Sequence, residues 1–139
     1  MWWIYALLSA LFAALTAIFA KIGIKGVDTD LATGIRTVII LVLAWLLVLY
    51  KGSQNGIGGL TKVNWIFLIL SGCATGFSWI CYFKALQLGE VSQVAPVDKL
   101  SVAIAIVLAA IFLGEPLTAK TIVAATLIMA GTFVMIFFK

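Results

Sequence analysis

The 139-residue sequence has no histidine, two cysteines, two prolines and five acidic residues. Without histidine, imidazole proton transfer is absent and zinc chemistry loses its commonest nitrogen ligand. Cys73 and Cys81 fall on one apparent helix, about 12 Å apart along its axis at ~1.5 Å per residue. That separation is too wide for a disulfide, and both read as small buried apolar residues. Charged residues are only 10% of the chain, against about a quarter in a soluble domain. The basic residues form no run, which argues against nucleic-acid binding. There is no carboxylate pair on one helical face, no serine beside a base, no metal-ligating set and no phosphate-cradling loop. The chain is therefore expected not to be an enzyme and to carry no metal and no cofactor.

What is present in abundance is apolar: 65% of residues are hydrophobic and the mean hydropathy is +1.25. This composition belongs to an all-α polytopic membrane protein, with residues 1–139 forming one transmembrane domain and no separate soluble part. Five segments approach the ~20 residues that cross a ~30 Å hydrocarbon core. They run from about Trp3 to Ile22, Leu31 to Tyr50, Val63 to Leu86, Val91 to Leu113 and Ala119 to Phe138. Lipid offers no hydrogen bonds, so each segment must pair its own backbone, as a helix does. The runs are continuous and do not alternate, which excludes a β-barrel. The opening "MWWIYALLSA" lacks a positive leader and its apolar run is too long for a cleaved signal, so it reads as the first span.

The punctuation agrees. "GVDTD" offers Asp28, Thr29 and Asp30 as caps for the second helix. "KGSQNGIGGLTK" reads as a flexible loop. "LGEPLTAK" puts Pro116 beyond the fourth helix and makes Thr118 the cap of the fifth. Five spans leave the termini on opposite sides. The N-terminal side then carries Lys51, Lys62 and Lys120, and the other side Lys25 and Lys139, joined by Lys21 and Lys84 if span ends are counted. With so little bias the positive-inside rule specifies no single orientation. Dual insertion is the expectation. The alternative is one orientation set by the first helix, whose trailing lysines favour an outside N-terminus.

Ionisable groups inside spans are costly, by about 3 kcal/mol at the centre, and are functional candidates by default. Here they are Lys21, Arg36, Lys84, Asp98 and Lys99, all in the membrane half opposite the N-terminus. Lys21 and Lys84 can snorkel to water. Asp98 and Lys99 lie about 10–12 Å into the fourth helix and should face protein or a wet cavity. As neighbours about 100° apart they are not expected to pair directly. Asp98 is expected instead to pair internally with Arg36 or Lys84, and Lys99 to meet a solute. The same charges could equally form an internal ion pair that only fastens helices. Pro96 removes a backbone donor and should kink the helix.

Two stripes, Tyr5, Ser9, Phe12 and Thr16 in the first helix and Ser71, Thr75, Ser78 and Tyr82 in the third, each put hydroxyls and an aromatic on one face. They could pack helices or line a cavity. In the cavity reading Trp79, Tyr82, Thr16 and Ser78 join Lys99 and Arg36 as substrate-binding residues, with Asp98, Lys84 and Pro96 in structural roles. "GCATG" forms a GxxxG of Gly72 and Gly76, and Ala6, Ala10, Ala14, Ala13 and Ala17 supply small positions on the first helix. Both mark close helix contacts.

The pieces "YFKALQLGEVS", a proline early in the fourth helix, a small-rich apolar run and "LGEPLT" before the last helix occur together over about Trp65 to Lys139. In these it resembles the EamA-type module of the drug/metabolite transporter superfamily. Most such proteins resemble ten-helix chains of two inverted five-helix modules, whereas this chain resembles one module alone. The resemblance implies a prokaryotic inner-membrane transporter that moves a small polar or charged metabolite by alternating access. The single module would pair with itself in lipid as an antiparallel homodimer, an inverted 5+5. Smaller four-helix relatives use a glutamate in the first helix for proton coupling. Here the only charge in that helix is Lys21, a departure that argues against proton-coupled export of cationic drugs. The alternative function is a non-transporting membrane subunit that partners another integral protein.

Overall fold

The structure, a computed structural model, describes residues 1–137. Its helices are α1 (Trp2–Gly23), α2 (Thr29–Tyr50), α3 (Lys62–Leu88), α4 (Val91–Asp98), α5 (Leu100–Phe112) and α6 (Ala119–Phe137). Among the described residues there is no strand. Five stretches are long and apolar enough to cross a membrane, with α4 and α5 together forming the fourth, Val91–Phe112. The chain is an integral membrane protein of the all-α class. Phe138, the expected last residue of the final helix, lies outside the described residues.

The helix limits follow from capping chemistry. Asp28 is extended, and its Oδ1 accepts the N–H groups of Asp30 and Leu31, both at 3.0 Å, which satisfies two donors that the start of α2 leaves open. Thr118 Oγ1 accepts the N–H of Thr121 at 3.3 Å. Both caps match the sequence reading. Thr61 caps α3 in the same way, accepting from the Asn64 N–H at 3.2 Å. The glycine-rich loop is not irregular throughout, because Ser53–Gly59 winds into 3-10 turns. At the end of α5 the N–H groups of Leu113 and Glu115 both reach the Ala109 carbonyl, with Gly114 at φ 67°. Only a glycine adopts that left-handed turn without strain.

The chain divides into two compact units. The first comprises Met1–Ile18 and Leu88–Lys139, the second Phe19–Gln87. In the first, α6 packs against both α4 and α5, and Ala103 of α5 and Ala125 of α6 are buried. Small residues let helix backbones approach where lipid supplies no hydrophobic drive. An apolar cavity of about 330 Å³ remains between α5 and α6, lined by Leu100, Ala103, Ile104, Val107, Leu108, Ala125 and Met129. In the second unit the core gathers the end of α1, the start of α2 and the end of α3. Ala20, Ile24, Thr29, Ala32 and Thr33 are buried, and Phe83 and Leu86 are fully enclosed.

Two packing expectations are overturned. Cys73 and Cys81 are exposed on this chain. The thiol is apolar enough for lipid, so nothing drives it inward as water would. A Cβ built on Gly72 or Gly76 would meet nothing within 4 Å, so the GxxxG face makes no close helix contact among the described residues. Of the small residues on α1, Ala17 is buried, whereas Ala6, Ala10, Ala13 and Ala14 are exposed.

Candidate functional site

Two groups of polar residues stand out, one in each unit. In the second unit Arg36 lies seven residues past the start of α2, about 10 Å along the helix at ~1.5 Å per residue. Its guanidinium Cζ sits 4.2 Å from the centroid of the Phe83 ring. Phe83 is 1% exposed, so it is a fixed platform, and Tyr82 meets its edge at a centroid distance of 5.8 Å. A guanidinium over an aromatic face is held by the ring quadrupole, by about 0.5–2 kcal/mol according to desolvation. That contact does nothing for the in-plane N–H groups. Arg36 Nη1 is buried and has no hydrogen-bond partner among the described residues. On the same helix Thr33 donates to the Thr29 carbonyl at 2.7 Å and Thr37 to the Thr33 carbonyl at 2.8 Å.

A buried charged donor without an acceptor is destabilising by about 1–3 kcal/mol or more. In a span the penalty is characteristic of binding sites. The planar fork of Arg36 can hold a carboxylate or similar anion through paired hydrogen bonds.

Further toward the end of α3, Lys84 Nζ donates to Gln87 Oε1 at 3.4 Å, and Gln87 Nε2 donates to the Val27 carbonyl at 3.1 Å. Lys21 Nζ donates to the Leu86 carbonyl at 2.6 Å. These bonds tie the α1–α2 connection to the C-terminal turns of α3, and a cation there meets the negative end of that helix.

In the first unit the proline acts as the sequence indicates. Pro96 has no N–H, and three residues beyond it the regular ladder breaks at Lys99, between α4 and α5. Lys99 N–H turns back to the Pro96 carbonyl at 3.1 Å, and Val102 N–H to the Lys99 carbonyl at 3.0 Å, both with the shorter 3-10 spacing. Thr132 of α6 donates to the Pro96 carbonyl at 3.1 Å and to its own Ile128 carbonyl at 2.9 Å, and is only 2% exposed. The pattern of the sequence did not single out this residue.

Asp98 and Lys99 do pair, contrary to expectation, with Nζ 3.4 Å from Oδ2. The 100° separation holds on a regular helix, but the ladder is interrupted between these two residues, and the lysine stem is long enough to swing back. The Lys99 side chain is 55% exposed and that of Asp98 36%. Of the other candidates, Thr16 belongs to the first unit and is half-buried, Trp79 and Tyr82 are half-buried in the second, and Ser78 is exposed there. The second unit therefore contains Arg36, Tyr82, Trp79, Ser78 and Lys84, and the first contains Lys99, Asp98, Pro96 and Thr16.

Comparison with known proteins agrees with this architecture. The model of the EamA-like transporter family matches residues 1–137. A protein of Sinorhizobium sp, described as an uncharacterized transporter in cobO 3'region, is 44% identical over 137 residues, covering 99% of this chain and 97% of the relative. No solved structure matches. With the match running through all five spans, including the one broken after Pro96, the chain belongs to the EamA-like transporter family.

Proposed function

We propose that two copies of this chain, inserted in opposite directions into a prokaryotic inner membrane, form one alternating-access transporter for a small solute bearing a carboxylate or comparable anionic group. Membership of the family makes the protein a membrane transporter of the drug/metabolite kind. The observation that carries the finer reading is Arg36 Nη1, buried without an acceptor beside the Phe83 ring. An anionic solute group would supply that acceptor. Lys99, more than half exposed beside the break after α4, is the positive charge that the first unit offers a solute.

The pairing of two copies draws support from surfaces the chain leaves open. Among the described residues a Cβ on Gly72 or Gly76 would meet nothing within 4 Å, although such a motif suits close backbone approach. A module with an odd number of spans gives an inverted repeat only when its second copy is turned over, and such repeats place a solute site at their interface.

Thermal unfolding of the purified protein against a panel of carboxylates, cations and neutral metabolites tests the solute class. Stabilisation by carboxylates that is lost in Arg36→Met supports it. Stabilisation by cations alone, or equal stabilisation of the variant, overturns it.

A further inference from the structure

The second unit holds another cavity, separate in its lining from Arg36. Its volume is about 470 Å³ and its walls are Lys21, Ile22, Ile24, Lys25, Gly26, Leu86 and Gln87. We propose that this cavity is a binding site for a phosphate group, with Lys21 and Lys25 as its charged ligands. The proposal stands apart from the solute reading and would survive its failure.

The charged side chains of the wall are of one sign, set against the negative C-terminal ends of α1 and α3, where Lys21 holds the Leu86 carbonyl. The two charged side chains are both ammonium groups, and no acid lines the wall. The nearest acids in sequence are Asp28, which caps α2, and Asp30, exposed in the first turn of that helix. The Gln87 amide is committed on both sides, its nitrogen to the Val27 carbonyl and its oxygen to Lys84. Lys21 is half-buried, and its bond to the Leu86 carbonyl holds the ammonium at the wall. Lys25 follows one helical turn later in sequence and is exposed. Between Lys25 and α2 the chain passes through Gly26 at φ 74°, where a Cβ would meet nothing within 4 Å, so the backbone turn adds no side chain to the space.

The location narrows the anion. The cavity lies where α1 ends at Gly23 and α3 ends at Leu88, at the limits of two spans. That is the depth of the lipid headgroups, where phosphate is the abundant anion and a basic pocket between helices favours it. Two compact ammonium charges suit a small, multiply charged tetrahedral group, whereas a planar carboxylate is better served by a guanidinium fork. The apolar remainder of the wall, Ile22, Ile24 and Leu86, suits a phosphate that carries a glycerol or acyl attachment. A phospholipid headgroup and free phosphate share this chemistry.

The test uses the full chain, purified in detergent and titrated with phosphatidylglycerol, with diacylglycerol, which lacks the phosphate, and with phosphatidylglycerol in the presence of inorganic phosphate. Native mass spectrometry reads the bound lipid. Retention of phosphatidylglycerol over diacylglycerol is expected. Lys25→Gln should weaken it about fivefold, the equivalent of ~1 kcal/mol per lysine near a headgroup, and Lys21→Gln should weaken it further. Lys51→Gln, a lysine at the end of α2 outside the cavity, should leave it unchanged. Displacement of lipid by inorganic phosphate would identify free phosphate as a ligand as well, and failure to displace would identify the headgroup as the source. Lys25→Gln disturbs no bond that shapes the unit, so its result stands even if Lys21→Gln unfolds. Equal retention of both lipids, unchanged retention in Lys25→Gln, or an equal loss in Lys51→Gln overturns the site.

Discussion

Replacing Arg36 with methionine should separate binding from folding, because the arginine is favourable to one and unfavourable to the other. In the solute-free protein the guanidinium gains a stacking contact with Phe83 at 4.2 Å, about 0.5–2 kcal/mol. It also leaves Nη1 buried without an acceptor, a cost of about 1–3 kcal/mol or more. Methionine keeps apolar bulk over the ring and removes the orphaned donor, so Arg36→Met should be as stable as the wild type or more stable by about 1 kcal/mol. With an anionic solute the sign reverses. Loss of a charge-assisted hydrogen bond of about 1.5–3 kcal/mol weakens affinity roughly 10- to 150-fold. Arg36→Lys keeps the charge but not the planar fork, so it should fall between the two. Denaturant unfolding in detergent, without and with a carboxylate that stabilises the wild type, reads both effects. A solute-free loss in Arg36→Met beyond about 2 kcal/mol, the upper end of the stacking contact, would mean that the arginine is a structural fastener. Unchanged solute affinity in that variant would remove it from the site.

Three further outcomes follow from the same geometry. Lys99→Ala should abolish transport in proteoliposomes while insertion and pairing persist, and its stability should change by no more than about 1 kcal/mol, since the bond to Asp98 is exposed; normal transport removes Lys99 from the pathway. Thr132→Val keeps the shape of the side chain but loses the bond to the Pro96 carbonyl, and should lower unfolding stability by about 0.6–1.7 kcal/mol, whereas Thr126→Val, whose hydroxyl bonds only its own helix at the Ile122 carbonyl, should cost less. In a background lacking Cys73 and Cys81, single cysteines at Ser53 and at Lys139 should each be labelled from both sides of the membrane, and labelling from one side alone would reject dual insertion.

The helices were legible because lipid makes the backbone accountable for itself. The expected limits at Ile22, Tyr50 and Ala119 lie within one residue of the observed ones, and Asp28 and Thr118 cap where their side chains allow it. The cap at Thr61 was obscured by the adjoining glycines of "GGLTK". Burial was much less legible. In water an apolar residue is driven inward, but in lipid Cys73, Cys81 and the Gly72–Gly76 face are at no disadvantage outside. Composition therefore locates a span without saying which side of it meets protein.

What carried through to the site was cost. Arg36 and Pro96 could be singled out because a charge and a missing N–H each demand compensation in a membrane. Their compensating partners were hidden, since neither has a sequence signature. Phe83 is one aromatic among nine phenylalanines, and Thr132 looks like any hydroxyl bonded back to its own helix until its second acceptor, the Pro96 carbonyl, comes into view. The two residues then differ in how far the chain answers the demand. The backbone beside Pro96 regains contacts from Lys99 and Thr132, so the break after α4 is stabilised from within. Arg36 gains the ring but no acceptor for Nη1. By that difference Pro96 reads as a shape-determining residue, and Arg36 is the residue on which the proposed solute site is tested.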